Sequence, residues 1–571
     1  MAIEFQLLLA SYFPPAWRVL ALVLLVAWFW PRLGNKFLAA IEHWGSRLAA
    51  RTAVAAVLVG LLLAGARLAL LPVERIPVPA VQDEFSYLLA GDTYASGRLT
   101  NPSHPLWVFF ETAHVNVLPT YISKYPPAQG AALAIGELLG HPWFGVLLSV
   151  AGMCAAITWM LQRWMPARWA FLGGLLAAGR FLVGPVYAMN YWLESYWGGA
   201  VTALGGALAL GALPRLIRRQ KFADGVLLGI GIALLANSRP YEGLVFCVPL
   251  AAALAWWVLR RHPARAMRWK AMAPVAGVLA VTAAFMVYNN WRVTGNALLF
   301  PYVVNDRAYL STPHFAWQSL EPPRPNLNPQ LDAVFNGWCR RTWQRERFRL
   351  TWEGIRWGLL HKVEAVQEFY LPAAFMIPVA LAWRRLLRNR KAVFLFFVCA
   401  WTVLGLVPVV WFQPHYAAAL TAAAVGLSMM GLRYLHTWSP NGRPVGVAMT
   451  RALVIAHLCF VPMNILPIRL GRSIHTACPL WACDRAHIAS ELEAVPGPQL
   501  VLVRYAPNHD QNEEWVYNRA DIDHAKVVWA REIPGVDSQP LLDYFRGRMV
   551  WILPVDVHPT KLHTYTEARA P

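Results

Sequence analysis

The sequence predicts a mainly α-helical, polytopic transmembrane fold of about twelve spans, followed by a small C-terminal α/β domain. Three observations lead to this prediction. The first is the composition, because apolar residues make up 57% of the 571 residues and charged residues only 14%. The second is the mean hydropathy, which is +0.38. Soluble domains carry roughly 25% charged residues, and single hydrophobic cores stop growing beyond about 250–300 residues. The third observation is a change of sequence character near residue 468.

Long apolar stretches recur along the first 467 residues. Stretches of about 17–25 residues can cross a bilayer as helices. Two candidates, 222–236 and 368–383, are short, and the apolar run 128–139 predicts an interfacial or re-entrant helix instead. The twelve candidate spans are 7–30, 52–71, 143–162, 169–189, 196–213, 222–236, 243–259, 272–290, 368–383, 392–412, 416–432 and 447–467.

The positive charges are sorted between the two sides of the predicted bundle. Short loops on one side hold 22 Lys and Arg, whereas 190–195, 237–242 and 413–416 on the other side hold only Arg239. Cytoplasmic loops of membrane proteins carry the excess of cations. The net charge of +20 is therefore explained by topology, and no nucleic-acid partner is predicted.

This topology divides the chain into two parts. Residues 1–467 form the transmembrane domain, with long outer loops at 72–127 and 291–367, and residues 468–571 form an outward-facing α/β domain. Alternating apolar runs bounded by turn residues indicate strands. The tail is predicted to contain strands at 499–505, 526–531 and 549–554 and helices at 485–494 and 538–546.

Residues 338–357 of the second loop are rich in Arg and Trp. Amphipathic segments of this composition lie in the bilayer interface, with aromatic rings in lipid and cations at the headgroups. The segment is predicted either to be a surface-lying helix with no catalytic role or to line the access route of an anionic lipid. Cys478 and Cys483 follow the last span, where an oxidising compartment would permit a disulfide.

Asp83 and Glu84 stand at the start of a predicted helix in the first outer loop. Acidic residues in a first helical turn often serve only as caps or as partners of the helix dipole. A carboxylate near apolar surface has a raised pKa and can accept a proton near neutral pH. Both interpretations remain open for this pair.

Further polar residues fall on the same predicted side. Cations at this depth could bind a lipid phosphate, whereas the simpler alternatives are a snorkelling lysine, an ion pair of Arg239 with Glu242 or Glu194, and a structural histidine. Charges at a membrane boundary cost free energy unless they are paired or used. The candidates for phosphate binding are Lys124, Tyr125, Arg239, His415 and Tyr416, and Glu194 is a further acid.

The order of these residues resembles the GT-C superfamily of membrane glycosyltransferases. Protein O-mannosyltransferases and the bacterial lipid A aminoarabinose transferase carry an acidic motif, often Asp-Glu, in an outward first loop, which Asp83 and Glu84 match. Residues 124–127 are similar to a Lys- and Pro-containing segment that contacts the lipid phosphate. Glu194 matches a second acidic position, and Arg239 with the proline after it is similar to an Arg-Pro pair at the outer end of a later span.

The resemblance implies transfer of a sugar from a polyprenyl-phosphate donor to a glycan, lipid or protein acceptor, with inversion. Asp83 would be the general base, with Glu84 and Glu194 orienting the acceptor or holding a metal. It also implies a bacterial-type inner membrane with the active site facing the periplasm. Its members include metal-independent enzymes, so no cofactor is expected, although Asp83, Glu84, His104 and His114 leave a divalent metal open.

Two other classes of protein fit some of these observations. A secondary transporter also has about twelve spans, but it places charges near the bilayer midplane and shows internal repeats. A non-catalytic envelope-assembly protein would tolerate the change Asp83→Asn. The clustering of charges at one face, without a detectable repeat, favours the glycosyltransferase.

Overall fold

The structure is mainly helical. The computed structural model describes residues 20–182, 191–259, 265–347, 349, 351–469 and 479–565. In the first half the helices are α1 (Leu20–Phe29), α2 (Asn35–Ala50), α3 (Thr52–Ala69), α4 (Gln82–Ala95), α5 (Pro127–Leu138), α6 (Trp143–Trp164), α7 (Ala167–Leu182), α8 (Ala200–Arg219), α9 (Phe222–Ser238), α10 (Pro240–Leu259) and α11 (Arg265–Thr294). In the second half they are α12 (Pro301–Tyr309), α13 (Pro329–Asp332), α14 (Cys339–Glu346), α15 (Trp352–Ile355), α16 (His361–Tyr370), α17 (Ala373–Leu381), α18 (Trp383–Leu387), α19 (Arg390–Leu406), α20 (Thr421–His436), α21 (Val445–Arg469), α22 (Leu480–Ala494) and α23 (Gln539–Tyr544).

Within the described ranges, six helical segments are long and apolar enough to cross a membrane: α3, α6, α8, α10, Lys270–Thr294 of α11 and Pro414–His436, which ends in α20. Helices also lie at the other predicted span positions, although the predictions 7–30 and 169–189 extend beyond the described residues. Only 17% of the apolar window of α11 is buried inside the protein, against 89% for Pro414–His436. The chain therefore has the build of an integral membrane protein, with α11 on the outside and α20 in the centre.

Close helix packing sets the position of the segment that enters α20. A 3₁₀ turn, Pro414–Leu420, leads into α20. A Cβ atom added to Gly206 of α8 would lie 2.1 Å from the carbonyl oxygen of Ala419. Small residues let helix backbones approach this closely in membrane proteins. The approach holds the 3₁₀ turn, with its His415 and Tyr416, against the core of the bundle.

The first long loop, 72–127, contains α4 and three short strands that sequence patterns did not predict. These are β1 (Asn101–Pro102), β2 (Val115–Asn116) and β3 (Thr120–Ser123), arranged in the order β1-β3-β2. The predicted helix at 128–139 is present as α5. The second long loop contains α12 and two helical stretches at 329–346 and 352–370, interrupted by π-helical turns at Ala333–Trp338 and Arg356–Leu360.

The C-terminal region is an α/β domain, as predicted. Its strands are β4 (Gln499–Arg504), β5 (Val527–Arg531), β6 (Met549–Pro554) and β7 (His563–Thr564), in the order β5-β4-β6-β7. The first three are parallel, and β7 pairs antiparallel with β6. Strand β7 was not predicted. Cys483 is disulfide-bonded, and its predicted partner Cys478 lies outside the described residues.

The α/β sheet packs directly on the first long loop. On one face it shares a buried cluster with Leu89, Phe109 and Phe110, and on the other face a cluster with Phe85. Burial of apolar surface is the main favourable contribution to such packing. The first loop and the C-terminal domain therefore form one structural unit at the same end of the bundle.

Candidate functional site

Helix α4 begins with the two adjacent acids. Val81 precedes it in an extended conformation, with φ −139° and ψ 144°, and Asp83 and Glu84 lie in the first turn. Successive side chains on a helix point about 100° apart. The two carboxylates therefore face different surroundings.

Glu84 is directed into the protein and is 2% exposed. Its Oε2 accepts hydrogen bonds from the backbone N–H groups of Ala80, at 2.7 Å, and Val81, at 3.1 Å. Its Oε1 accepts one from Tyr196, at 2.9 Å. Burial raises the pKa of Glu84 to about 7, against the opposing effect of these hydrogen bonds. The arrangement joins α4 to the 191–199 segment and leaves neither oxygen free for a substrate.

Asp83 lies in a polar cluster with His114, Lys124 and Tyr125, here called the Asp83 cluster, and its side chain is 26% exposed. Its Oδ1 accepts a hydrogen bond from the Tyr125 hydroxyl, and His114 Nε2 lies 3.7 Å from the same oxygen. Among the described residues, no group donates a hydrogen bond to Oδ2. One carboxylate oxygen is thus held in place while the other is open to an incoming hydroxyl.

Tyr125 is positioned by hydrogen bonds and by ring stacking. The Ser86 hydroxyl donates to the backbone oxygen of His114, at 2.6 Å, and lies 2.7 Å from the Ser123 hydroxyl. The backbone N–H of Tyr125 donates to that Ser123 oxygen at 3.2 Å. The Tyr125 ring stacks on Tyr87 with centroids 4.4 Å apart. These contacts attach the end of β3 to α4.

Lys124 follows β3 and lies beside Tyr125 in the same cluster. Its Nζ lies 5.4 Å from the Tyr125 ring centroid, and within the described part of the chain it forms no ion pair. Burial and, to a lesser extent, the Lys124 charge lower the pKa of His114 to about 4, against the opposing charges of Asp83 and Asp306. An unpaired cation beside a neutral histidine is suited to binding an anion.

Arg239 joins α9 to α10 and lies near the Asp83 cluster on the side of the bundle. Its Nη1 lies 3.6 Å from Glu242 Oε1, which agrees with one of the two predicted pairs, and its Cζ lies 4.2 Å from the Tyr416 ring centroid. Burial raises the pKa of Tyr87, an effect that Arg239 opposes and Asp83 reinforces. Arg239 and Asp83 therefore act on the same tyrosine from different elements.

His415 and Glu194 are engaged elsewhere. Tyr191 hydroxyl lies 2.5 Å from His415 Nδ1 and accepts from the His415 backbone N–H at 3.2 Å. Glu194 pairs with Arg67 of α3, Nη2 to Oε1 at 3.1 Å, and not with Arg239. Burial raises the pKa of Glu194, and the Arg67 charge opposes this. Both residues lie at the same end of the bundle as Asp83 and are held by neighbours.

Sequence reasoning missed the contribution of the second long loop. Asp306 lies in α12, and its Oδ2 is 2.7 Å from His314 Nε2. Burial favours its neutral form, but the His314 hydrogen bond and the Lys124 charge prevail and lower the pKa of Asp306. No spacing pattern links residues that lie so far apart in the chain, so no sequence signal could have found this neighbour of Lys124.

The two histidines considered for a metal have other partners. His104 Nε2 lies 3.1 Å from Asp523 Oδ1, and its ring stacks on Phe545 with centroids 5.7 Å apart. His114 lies beside Asp83, as described above. In the part of the chain that the structure describes, no group of three or more His, Cys, Asp or Glu is arranged to hold a metal ion.

The C-terminal domain holds α4 at several points. Gln82 donates a side-chain hydrogen bond to the backbone oxygen of Gln511. Arg485 places its guanidinium carbon 4.8 Å from the Phe85 ring centroid. Near the other end of α4, Asp92 Oδ2 accepts from the Ala520 backbone N–H at 2.7 Å. The helix that carries Asp83 is therefore fixed on the side opposite the membrane bundle.

Fold and site define a polytopic helical membrane protein with an acid and cations gathered at one end of its bundle. Solved structures similar to it include ArnT from Cupriavidus metallidurans in the apo state, at 13% identity and a TM-score of 0.47, covering 87% of this chain and 92% of that one. ArnT from the same organism bound to undecaprenyl phosphate is 13% identical, with a TM-score of 0.46, and the match covers 86% of this chain and 93% of that one. An Archaeoglobus fulgidus oligosaccharyltransferase tethered to an acceptor peptide is 13% identical, with a TM-score of 0.44, and the match covers 79% of this chain and 62% of that one. No family model and no curated protein matches the chain.

Proposed function

We propose that this protein is a GT-C-type membrane glycosyltransferase that moves a sugar from a polyprenyl-phosphate donor to an acceptor hydroxyl on the predicted outer, periplasmic face. One observation carries the proposal. Asp83 keeps one carboxylate oxygen that accepts no hydrogen bond from the described residues, in a cluster that Lys124 shares. Arg239 acts on Tyr87, whose ring stacks on Tyr125 of that cluster. A general base and cations for a phosphate leaving group are the parts that this transfer needs.

In the proposed reaction, the donor phosphate lies between Lys124 and Arg239, with Tyr416 beside Arg239. Asp83 Oδ2 takes the proton of the acceptor hydroxyl as its oxygen attacks the anomeric carbon. The bond between that carbon and the phosphate oxygen breaks, and polyprenyl phosphate leaves from the opposite face, so the configuration inverts. Fixed cations stabilise the charge that develops on the leaving phosphate.

The remaining predicted residues take positioning roles in this proposal. Glu84 fixes the first turn of α4 through three backbone N–H groups. Glu194, paired with Arg67, fixes the 191–199 segment, and His415 fixes Tyr191. No cofactor enters the steps, which need only the acid, the cations and the two substrates.

The test is sugar transfer by purified protein in nanodiscs, with a panel of radiolabelled polyprenyl-phosphate sugars and crude envelope acceptors. Asp83→Asn and Lys124→Ala are compared with Lys221→Ala, an exposed lysine in a predicted inner loop. Transfer that requires Asp83 and Lys124 but not Lys221 supports the proposal and identifies the donor. Transfer that survives both changes places the site elsewhere. Folded protein that neither transfers sugar nor binds polyprenyl phosphate supports a transporter or an assembly protein.

A further inference from the structure

A second concentration of positive charge lies on the helical stretches 329–346 and 352–370. These stretches are attached to the residues that follow α19, one of the predicted spans. Glu346 accepts a hydrogen bond from the Trp411 backbone N–H at 2.9 Å. Lys362 Nζ donates to the carbonyl oxygens of Val407, at 2.7 Å, and Val409, at 2.5 Å. The surface therefore lies at the level where this span ends.

Two guanidinium groups converge on one indole ring there. The Cζ atoms of Arg345 and Arg356 lie 4.7 and 5.8 Å from the Trp357 ring centroid. Arg356 pairs with Glu364 at 2.8 Å, but Arg345 has no carboxylate partner within the described residues. Like charges that share one ring leave an excess of positive potential, which a bound anion would neutralise.

His361 and Arg341 border this pair of guanidinium groups. The His361 ring lies 5.1 Å from Trp357; burial lowers the pKa of His361, and Arg356 and Arg345 lower it further. Arg341 is exposed and lies four residues before Arg345, so both occupy one face of α14.

Large apolar side chains are exposed around these cations. Trp352 is 73% exposed, Leu360 40% and Val363 41%. Exposed tryptophan next to arginine at the end of a span is typical of the bilayer interface, where the ring enters lipid and the cation meets headgroups. A phosphate free in water would make no use of this apolar rim.

We infer that this surface, formed by Arg341, Arg345, Trp352, Arg356, Trp357 and His361 and here called the basic ledge, binds the headgroup of an anionic membrane phospholipid. The guanidinium groups of Arg341 and Arg345 contact the headgroup phosphate, and Trp352 enters the acyl region. The inference is independent of sugar transfer, because the basic ledge shares no residue with the Asp83 cluster and does not include Arg239.

The test counts lipids retained by the full-length protein, using native mass spectrometry after reconstitution with phosphatidylcholine and phosphatidylglycerol. R341Q/R345Q is compared with R504Q/R546Q, which removes two arginines of the C-terminal domain that pair with Glu532 and Asp543. We expect the first variant to lose preference for phosphatidylglycerol by roughly fivefold per guanidinium removed, and the second to keep it. R341K/R345K, which keeps both charges, is expected to retain most of the preference and shows that the surface folds.

Three results would overturn the inference. R341Q/R345Q could retain phosphatidylglycerol like the wild type, which places the lipid elsewhere. R504Q/R546Q could lose the lipid equally, which makes the effect one of net charge. Excess inorganic phosphate could displace all of the phosphatidylglycerol, which makes the ledge a site for a soluble anion.

Discussion

The Tyr125 hydroxyl donates a hydrogen bond to Asp83 Oδ1, so a residue after β3 holds the carboxylate at the start of α4. Asp83 and Glu84 are neighbours in sequence, yet Glu84 accepts three backbone N–H groups. Within the described residues, Asp83 keeps one oxygen that accepts no hydrogen bond, whereas both oxygens of Glu84 accept one or more. This difference between adjacent acids is the basis for assigning one as the general base and the other as a positioning residue.

Tyr125→Phe is expected to weaken transfer. The Tyr125 hydroxyl holds one oxygen of Asp83, so without it the carboxylate is free to turn away from the acceptor hydroxyl. Misplacement of a reacting group by about 1 Å can cost around 100-fold in rate, so kcat/KM should fall. Tyr544→Phe, at an exposed position, should leave kcat/KM unchanged. An unchanged kcat/KM for Tyr125→Phe would separate this bond from catalysis.

Lys124→Ala and Arg239→Lys are expected to weaken binding of polyprenyl phosphate. A hydrogen bond to a charged group contributes about 1.5–3 kcal/mol, so Lys124→Ala should raise Kd by about 10- to 100-fold. Arg239→Lys keeps the charge opposite Glu242 and should have a smaller effect. Isothermal titration in detergent with Lys221→Ala as control checks this, and an unchanged Kd for Lys124→Ala would remove Lys124 from the phosphate site.

Glu84 gives the protein a pH-dependent stability. Its pKa is raised from 4.5 to about 7 by burial, so the folded state binds a proton that the unfolded state releases first. The stabilising contribution of Glu84 to the free energy of unfolding is present below pH 4.5 and is lost as the pH rises to about 7. The Tm of the wild type should therefore fall relative to that of Glu84→Gln across this window. The Tm of Glu491→Gln, changed at an exposed site, should follow that of the wild type at every pH. If the Tm of Glu84→Gln also followed that of the wild type, the raised pKa of Glu84 would be contradicted.

Arg485→Met is expected to loosen α4 without affecting the donor site. The Arg485 guanidinium lies 4.8 Å from the Phe85 ring centroid and donates to the Trp515 oxygen at 3.0 Å. Misplacement of a reacting group by about 1 Å can cost around 100-fold in rate. Faster amide exchange across α4 and a lower kcat are expected, with Kd for polyprenyl phosphate unchanged. Arg504→Met, at an exposed position on β4 of the same domain, serves as control, and unchanged exchange in α4 would show that Arg485 does not position this helix.

Much of the fold was predictable because its helices are apolar and long. The spans and the parallel strands β4, β5 and β6 follow from hydrophobic patterning, which depends on neighbouring residues. The short strands β1, β2 and β3 have two to four residues each, too few for a pattern. The packing of the sheet on the first loop depends on contacts between residues about 400 positions apart, such as Tyr121 with Asn518, which no local pattern carries.

The candidate site was predictable in composition more than in geometry. Asp83, Lys124 and Arg239 lie at one end of the bundle, as charge sorting indicated. The sequence did not show that Glu194 would pair with Arg67, an arginine inside an apolar span. It also could not separate Asp83 from Glu84, because their difference arises from the direction of each side chain on α4 and from distant backbone groups such as Tyr196 N–H.

The most direct test of the central claim measures Asp83→Asn in two assays on the same preparation, sugar transfer and equilibrium binding of polyprenyl phosphate. Loss of a positioned base costs about 10²- to 10⁴-fold in rate, so transfer should fall by that factor while Kd stays at the wild-type value. Asp543→Asn, an exposed acid paired with Arg546, should behave like the wild type in both assays. Transfer by Asp83→Asn at the wild-type rate would contradict the account.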